Sequence, residues 1–257
     1  MPATPSKFVW YDLMTSDTRA AGSFYQKVIG WDAKDAGMPG HPYTLFSVGP
    51  TLVGGLMPLP EEARAMGARP GWMGYIGVAD VDATAARVQA AGGVLHRPPA
   101  DIAGIGRFAV VADPHGAAFI VFKGASAQEP EQAAPGAPGH IGWHELHAGE
   151  GESAFAFYSS LFGWTKAEAI DMGPLGTYQT FATGGDAVGG MMTKVPELPL
   201  AMWLYYFNVD AIDAAMERVT QNGGQVLMGP HQVPAGQWIV QCLDPQGAMF
   251  ALLAARR

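Results

Sequence analysis

The chain contains itself twice. Residues 8–31, FVWYDLMTSDTRAAGSFYQKVIGW, align without a gap on residues 141–164, IGWHELHAGEGESAFAFYSSLFGW, at a constant shift of 133. The shift pairs Trp10 with Trp143, Asp12 with Glu145, Leu13 with Leu146, and Phe24-Tyr25 with Phe157-Tyr158. Three more blocks follow in the same order. YTLFSVGPTLVGGLM (43–57) matches YQTFATGGDAVGGMM (178–192), VDATAARVQAAGG (81–93) matches IDAAMERVTQNGG (212–224), and DPHGAAF (113–119) matches DPQGAMF (244–250). Such a tandem duplication requires a fold that one half can adopt and the other can copy. It divides the chain into a first domain, 1–123, and a second, 140–257. Between them GASAQEPEQAAPGAPG (124–139) has no periodic apolar face and reads as an extended linker.

Each half has an inner order. Residues 8–15 alternate as a strand does, and 17–29 carry apolar residues at helical spacing until Gly30 stops the helix. Strands are expected at 32–35, 43–49 and 51–57. A further strand, Tyr75–Ala79, leads to a helix over Asp82–Ala91 closed by Gly92-Gly93, and strands at 94–97, 107–112 and 117–123 end the half. The order is βαβββ, twice per half.

Composition narrows the function classes. Apolar residues make up 49% of the 257 positions, enough for ordinary cores. With 15 Lys+Arg against 23 Asp+Glu, and no basic cluster, the chain lacks the positive face that nucleic acid demands. No apolar run approaches the ~20 residues of a membrane span, and MPATPSKFVWYDL lacks a secretory pattern. A soluble cytoplasmic protein is expected, with no nucleic-acid or membrane partner. The lone Cys242 excludes a disulfide within the chain and a thiolate metal cluster. GIGRFA (104–109) lacks the third glycine and following helix of a dinucleotide loop.

The βαβββ order, the FYxxxxGW after the first helix and the DPxG turn before the last strand resemble the vicinal oxygen chelate superfamily. That group includes glyoxalase I, bleomycin-resistance proteins, fosfomycin-resistance enzymes and extradiol dioxygenases. The W-x-[DE]-L opening strand is most similar to a two-domain glyoxalase-like branch. The resemblance implies an α+β fold of tandem glyoxalase-like domains, each built from two βαβββ modules curled into a half-open barrel. Single-domain relatives usually pair, so the resemblance also implies a homodimer, or fused halves that mimic one.

Metal-using members draw four ligands, usually His, Gln or Glu, from the concave face. Carried onto this chain, the four positions fall on Trp10 and Trp143, near Gly54-Gly55 and Gly189-Gly190, near Tyr75 and Tyr206, and near Ile120 and Ala251. A catalytic divalent ion needs about three protein ligands and an open position. No metal and no cofactor are therefore expected. In Trp143-His144-Glu145-Leu146-His147 a strand points His144 and His147 to opposite faces, whereas Glu145 and His147 share one.

What remains on the concave face is aromatic with few polar groups. In the first half the expected lining is Trp10, Asp12, Met14 and Tyr75, with Trp72 beside them. In the second it is Trp143, Glu145, His147, Tyr206 and Asn208, joined by His231 and Trp238. Such walls suit a flat aromatic or cationic small organic molecule. The leading expectation is thus a metal-independent small-molecule binding protein of the glyoxalase/bleomycin-resistance type. The alternatives are a glyoxalase-like lyase or isomerase acting on an α-carbonyl compound, and a structural module whose barrels are packed shut. In the enzyme reading Glu145 and His147 are the candidate catalytic pair, because desolvation beside tryptophan raises a carboxyl pKa toward the range of a general base. Phe24, Tyr25 and their repeats read as core, and the DPHG and DPQG segments as turns.

Overall fold

A computed structural model describes residues 5–38, 40, 42–126 and 133–257. The first half forms strands β1 (Phe8–Thr15), β2 (Asp32–Asp35), β3 (Thr44–Val48), β4 (Thr51–Pro58), β5 (Gly71–Gly77), β6 (Val94–Ile102), β7 (Gly106–Ala112) and β8 (Ala118–Gly124). Its helices are α1 (Thr18–Ile29), α2 (Glu61–Ala65) and α3 (Val81–Ala90). The second half repeats the pattern with β9 (Ile141–Ala148), α4 (Gly151–Phe162), β10 (Thr165–Asp171), β11 (Thr177–Ala182), β12 (Ala187–Thr193), β13 (Met202–Asn208), α5 (Ile212–Gln221), β14 (Gln225–Gln232), β15 (Trp238–Leu243) and β16 (Met249–Ala254). Each half contributes one eight-stranded sheet, in the orders β2-β3-β4-β1-β5-β8-β7-β6 and β10-β11-β12-β9-β13-β16-β15-β14. Both sheets keep free edges, as an open α+β architecture requires.

Local chemistry explains the element limits. Asp17 caps α1 by accepting from Ala20 N at 2.9 Å, and left-handed Gly30 ends it. At the repeat, Glu150 accepts from Glu152 N and Ser153 N before α4, and Gly163 closes that helix. The short helix α2 is absent from the pattern reading, and two strand limits differ from it. β6 runs on to Ile102 through Pro98-Pro99, because it is an edge strand and its ladder shifts register between Arg97 and Ala100. β5 starts at Gly71, four residues early, carrying Trp72 within the strand. The proposed linker, 124–139, includes 127–132, which lie outside the described residues. At its end, Gly139 N donates to Asn208 O, and Gly139 O accepts from Trp31 Nε1 at 2.7 Å.

The compact units do not coincide with the two halves. One comprises Met1–Trp10, Gly74–Pro130 and His144–Trp203; the other comprises Tyr11–Met73, Glu131–Trp143 and Leu204–Arg257. Each unit therefore joins the first module of one half to the second module of the other. In the first unit, Trp203 Nε1 donates to Tyr158 OH at 3.0 Å, and Tyr158 OH donates to Asp113 Oδ2 at 3.3 Å. Asp113 Oδ1 meanwhile accepts from His115 N and Ala117 N, holding the DPHG turn. Trp164, Phe181, Phe119 and Phe162 surround this chain of hydrogen bonds. The second unit builds the same device from Trp72, Tyr25 and Asp244, with Trp31, Phe46, Phe207 and Phe250 around it. Trp72 is thus a core residue, not the pocket lining expected of it, because its indole N–H is consumed by Tyr25. Burial pushes the Asp244 carboxyl above its ordinary range and Tyr25 well above its own.

Candidate functional site

Strand alternation delivers the acidic residues of the two opening strands to equivalent places. Asp12 on β1 lies in register with Gly55 on the parallel neighbour β4, and Glu145 on β9 with Gly190 on β12. A tyrosine reaches over each glycine to the carboxylate. Tyr43 OH donates to Asp12 Oδ1 at 2.7 Å, and Tyr178 OH donates to Glu145 Oε2 at 3.0 Å. The glycines are obligatory here. A Cβ on Gly55 collides with Tyr43 and Asp12, and a Cβ on Gly190 with the ring of Tyr178. Asp12 and Glu145 are only 2% and 7% exposed.

These tyrosines were missed as site residues although the sequence signals them. Each opens the second repeated block, so Tyr43 and Tyr178 align, but a tyrosine at a strand start reads as ordinary β propensity. What singles them out is the glycine one strand away, a pairing that only register reveals.

The second cluster carries an imidazole as well. His147 Nε2 stands 2.9 Å from Glu145 Oε1, both side chains almost fully buried. The two atoms are close enough for an ion pair if the ring is protonated, yet Nε2 makes no hydrogen bond to Oε1 or to any other described group. His144 points the other way, as alternation dictates. It stacks on Phe8 at 4.3 Å, its Nδ1 lies 2.7 Å from Val188 O, and burial lowers its pKa to about 4, so the ring is neutral with Nδ1–H donating.

The other expected residues are placed as follows. Trp143 packs with Tyr206, Leu204, Ala251 and Leu253, and Gln241 Nε2 donates to Tyr206 OH at 3.1 Å. Trp143 and Tyr206 thus belong to an apolar cluster. Asn208 is 3% exposed and lies across Gly142. Tyr75 packs edge-on against Phe122 and pairs in register with Ile120. Trp10 and Met14 are half-buried on β1. His231 is exposed on β14, which as an edge strand leaves one side uncovered, and Trp238 carries the Arg257 guanidinium 5.2 Å over its ring.

The donor set does not fit the divalent ion that the fold suggests. Tyr75 and Tyr206 lie in register with Ile120 and Ala251, which offer no donor. Among the described residues no three His, Cys, Asp or Glu side chains gather. The nearest approach is the Glu145–His147 pair, one ligand short of the usual three.

Taken together, two open eight-stranded sheets of repeated βαβββ modules, each holding a buried acid–tyrosine pair, define a tandem glyoxalase-like protein. The family model for the glyoxalase/bleomycin resistance protein/dioxygenase superfamily matches residues 7–121 and 139–252, and the chain belongs to that superfamily. It is 32% identical over 247 residues to the protein CFP32 of Mycobacterium bovis, provisionally named a glyoxylase, covering 95% of this chain and 93% of that one. It is likewise 32% identical over 265 residues to the anthracycline biosynthesis protein DnrV of Streptomyces peucetius, covering 98% and 94%. Among solved structures, a Mn(II)-bound glyoxalase from Novosphingobium aromaticivorans superposes with a TM-score of 0.66 at 19% identity, over 99% of this chain and 83% of that one. A substrate complex of homoprotocatechuate 2,3-dioxygenase from Brevibacterium fuscum gives 0.66 at 14% identity, over 100% and 83%. At those identities the likeness is one of fold. No helix among the described residues is long and apolar enough to cross a membrane.

Proposed function

We propose that the protein binds a small aromatic or cationic organic molecule without a metal ion, using the Asp12–Tyr43 and Glu145–Tyr178 pairs as polar anchors. The observation that carries this reading is the duplicated carboxylate–tyrosine hydrogen bond over a glycine, at 2.7 Å and 3.0 Å, in a chain whose ligand positions hold Trp and Gly. A buried carboxylate attracts a cation strongly because little solvent screens it, and the Tyr43 and Tyr178 rings beside the carboxylates supply aromatic surface for a flat ligand. Tryptophan fluorescence should be quenched saturably by 1-methylquinolinium, with one affinity in EDTA and in added Mn(II). Binding that appears only with the metal would refute it.

A second reading has its own observation. The Glu145–His147 approach of 2.9 Å supplies a base and a proton carrier for a glyoxalase-like lyase or isomerase acting on an α-carbonyl compound. Tyr178 would then steady the carboxylate. Turnover of methylglyoxal with a thiol that falls at least a hundredfold in Glu145→Gln supports this reading, and turnover unaffected by that substitution removes it.

A further inference from the structure

The two halves fill the space beside their opening helix differently. The shift that pairs α1 with α4 sets Gly22 against Phe155. Ala33 corresponds to Lys166, since each pairs across its ladder with the repeated phenylalanine, Phe46 or Phe181. In the second half the Phe155 ring is buried and carries the Lys166 ammonium 5.3 Å over it, so a ring and a cation occupy the space. In the first half neither side chain is present, and an open groove of about 370 Å³ lies between α1, β2 and β3. Small-molecule sites begin at about this size. Its floor is Gly22, Ala33 and Leu56. Gly55 faces Asp12 and Tyr43, so alternation turns Leu56 to the other face of β4, toward Gly22. The groove is therefore separate from the Asp12–Tyr43 anchor. A Cβ on Gly22 would meet Leu56 Cδ2 at 3.4 Å, an ordinary contact, so the fold has room for alanine there. Glycine inside a helix costs about 1 kcal/mol against alanine, and what it leaves open is the groove.

Two opposite charges line this groove, and neither is repeated. Arg19 stands where the second half has Glu152, and Asp35, paired with Thr44, stands where Ala169 pairs with Gln179. The Arg19 guanidinium has no hydrogen-bond or ion-pair partner among the described residues. Asp35 Oδ1 accepts from Gly37 N at 2.9 Å, which orients the carboxylate.

We infer that this groove binds a small aromatic zwitterion, of the chemical class of the aromatic α-amino acids. The ring covers Gly22, Ala33 and Leu56, as Phe155 covers the equivalent place in the second half. The ammonium goes to Asp35 and the carboxylate to Arg19. A ligand with one charge satisfies one of these groups and is repelled by the other, whereas a ligand with both charges satisfies the pair.

Proton–nitrogen correlation spectra of the labelled full chain, titrated with L-phenylalanine, phenethylamine and 3-phenylpropionate, test this. The expected result is saturable shifts on α1, β2 and β3 with phenylalanine, and about fivefold weaker binding of each singly charged analogue, the worth of an exposed ion pair. Arg19→Gln should erase the preference over phenethylamine alone, and Asp35→Asn the preference over 3-phenylpropionate alone. Gly22→Phe combined with Ala33→Lys copies the second half and should abolish binding, with the dispersion of the same spectra confirming the fold. If that double variant does not fold, the two charge variants decide. No shift on these elements up to about 10 mM phenylalanine, equal affinity for the three probes, preferences unchanged in the charge variants, or binding retained by the folded double variant overturns the inference. Shifts confined to Asp12 and Tyr43 overturn it too, while supporting the anchor reading, which does not depend on the groove.

Discussion

Gly190→Ala is the smallest change that should dismantle the second anchor. The backbone of Gly190 is held on both sides, paired with Glu145 on β9 and with Thr180 on β11, so it cannot retreat. The new methyl group falls inside the Tyr178 ring, and the ring has to leave. Forcing a methyl into an occupied site costs about 1–3 kcal/mol, and losing the Tyr178–Glu145 hydrogen bond adds about 1 kcal/mol. A total of about 2–4 kcal/mol corresponds to a fall in melting temperature of about 5–15 °C for a chain of this size. Urea unfolding followed by tryptophan fluorescence measures the free energy, and probe titration measures loss of the second site. Adding Tyr178→Ala removes the ring that clashes, so the double variant should recover part of the stability yet still bind no probe at that site. If Gly190→Ala proves as stable as the wild type, or if the double variant is no more stable than the single one, the close approach of ring and glycine is not what this geometry says.

Other expectations follow from the same coordinates. Tyr158→Phe leaves Trp203 Nε1 without its acceptor and Asp113 without its tyrosine donor, and should destabilise by about 1–3 kcal/mol in urea, with the same loss from Tyr25→Phe in the other unit. The His144 ring has a folded pKa depressed from 6.5 to about 4, so its contribution is complete above pH 6.5 and is lost as pH falls toward 4, by about 3 kcal/mol. His144→Phe, which preserves the stack on Phe8, should flatten the stability profile across that interval, and an unchanged slope would show that another group carries it. Burial pushes the Cys242 thiol up to about 12, so a thiol-selective disulfide reagent should fail to label the native protein and react with one equivalent in denaturant.

Much of the fold was legible because it is written twice. The helix stop read at Gly30 is left-handed in the structure, and its repeat Gly163 closes α4 in the same way. The alternation that put Glu145 and His147 on one face, and His144 on the other, agrees with their contacts for the same reason: period two is a local property of a strand. What was not legible was non-local. Trp72 read as lining because nothing in its neighbourhood announces that Tyr25, 47 residues away, takes its indole N–H. That β14, which carries His231, is an edge strand depends on the strand order of the whole sheet and was not legible either.

The DPxG motif shows why the resemblance specifies architecture more firmly than chemistry. As a segment it is a turn, and its aspartate folds back onto two amides of that turn. Its second oxygen, however, meets the tyrosine of the FY motif from the opposite half: Asp244 with Tyr25, and Asp113 with Tyr158. The two signatures that make the family recognisable are therefore the two ends of one buried hydrogen bond, and each tryptophan of the FYxxxxGW motif pins the segment that leads into the other half's first strand, Trp31 to Gly139 and Trp164 to Ser6. Every residue of that device is engaged in holding modules together, so none of it is available to a ligand. Beside that device the halves diverge: Asp12 against Glu145, Met14 against His147. A family defined by its latch is free to change what sits beside it, which is why the shared fold does not by itself carry a shared chemistry.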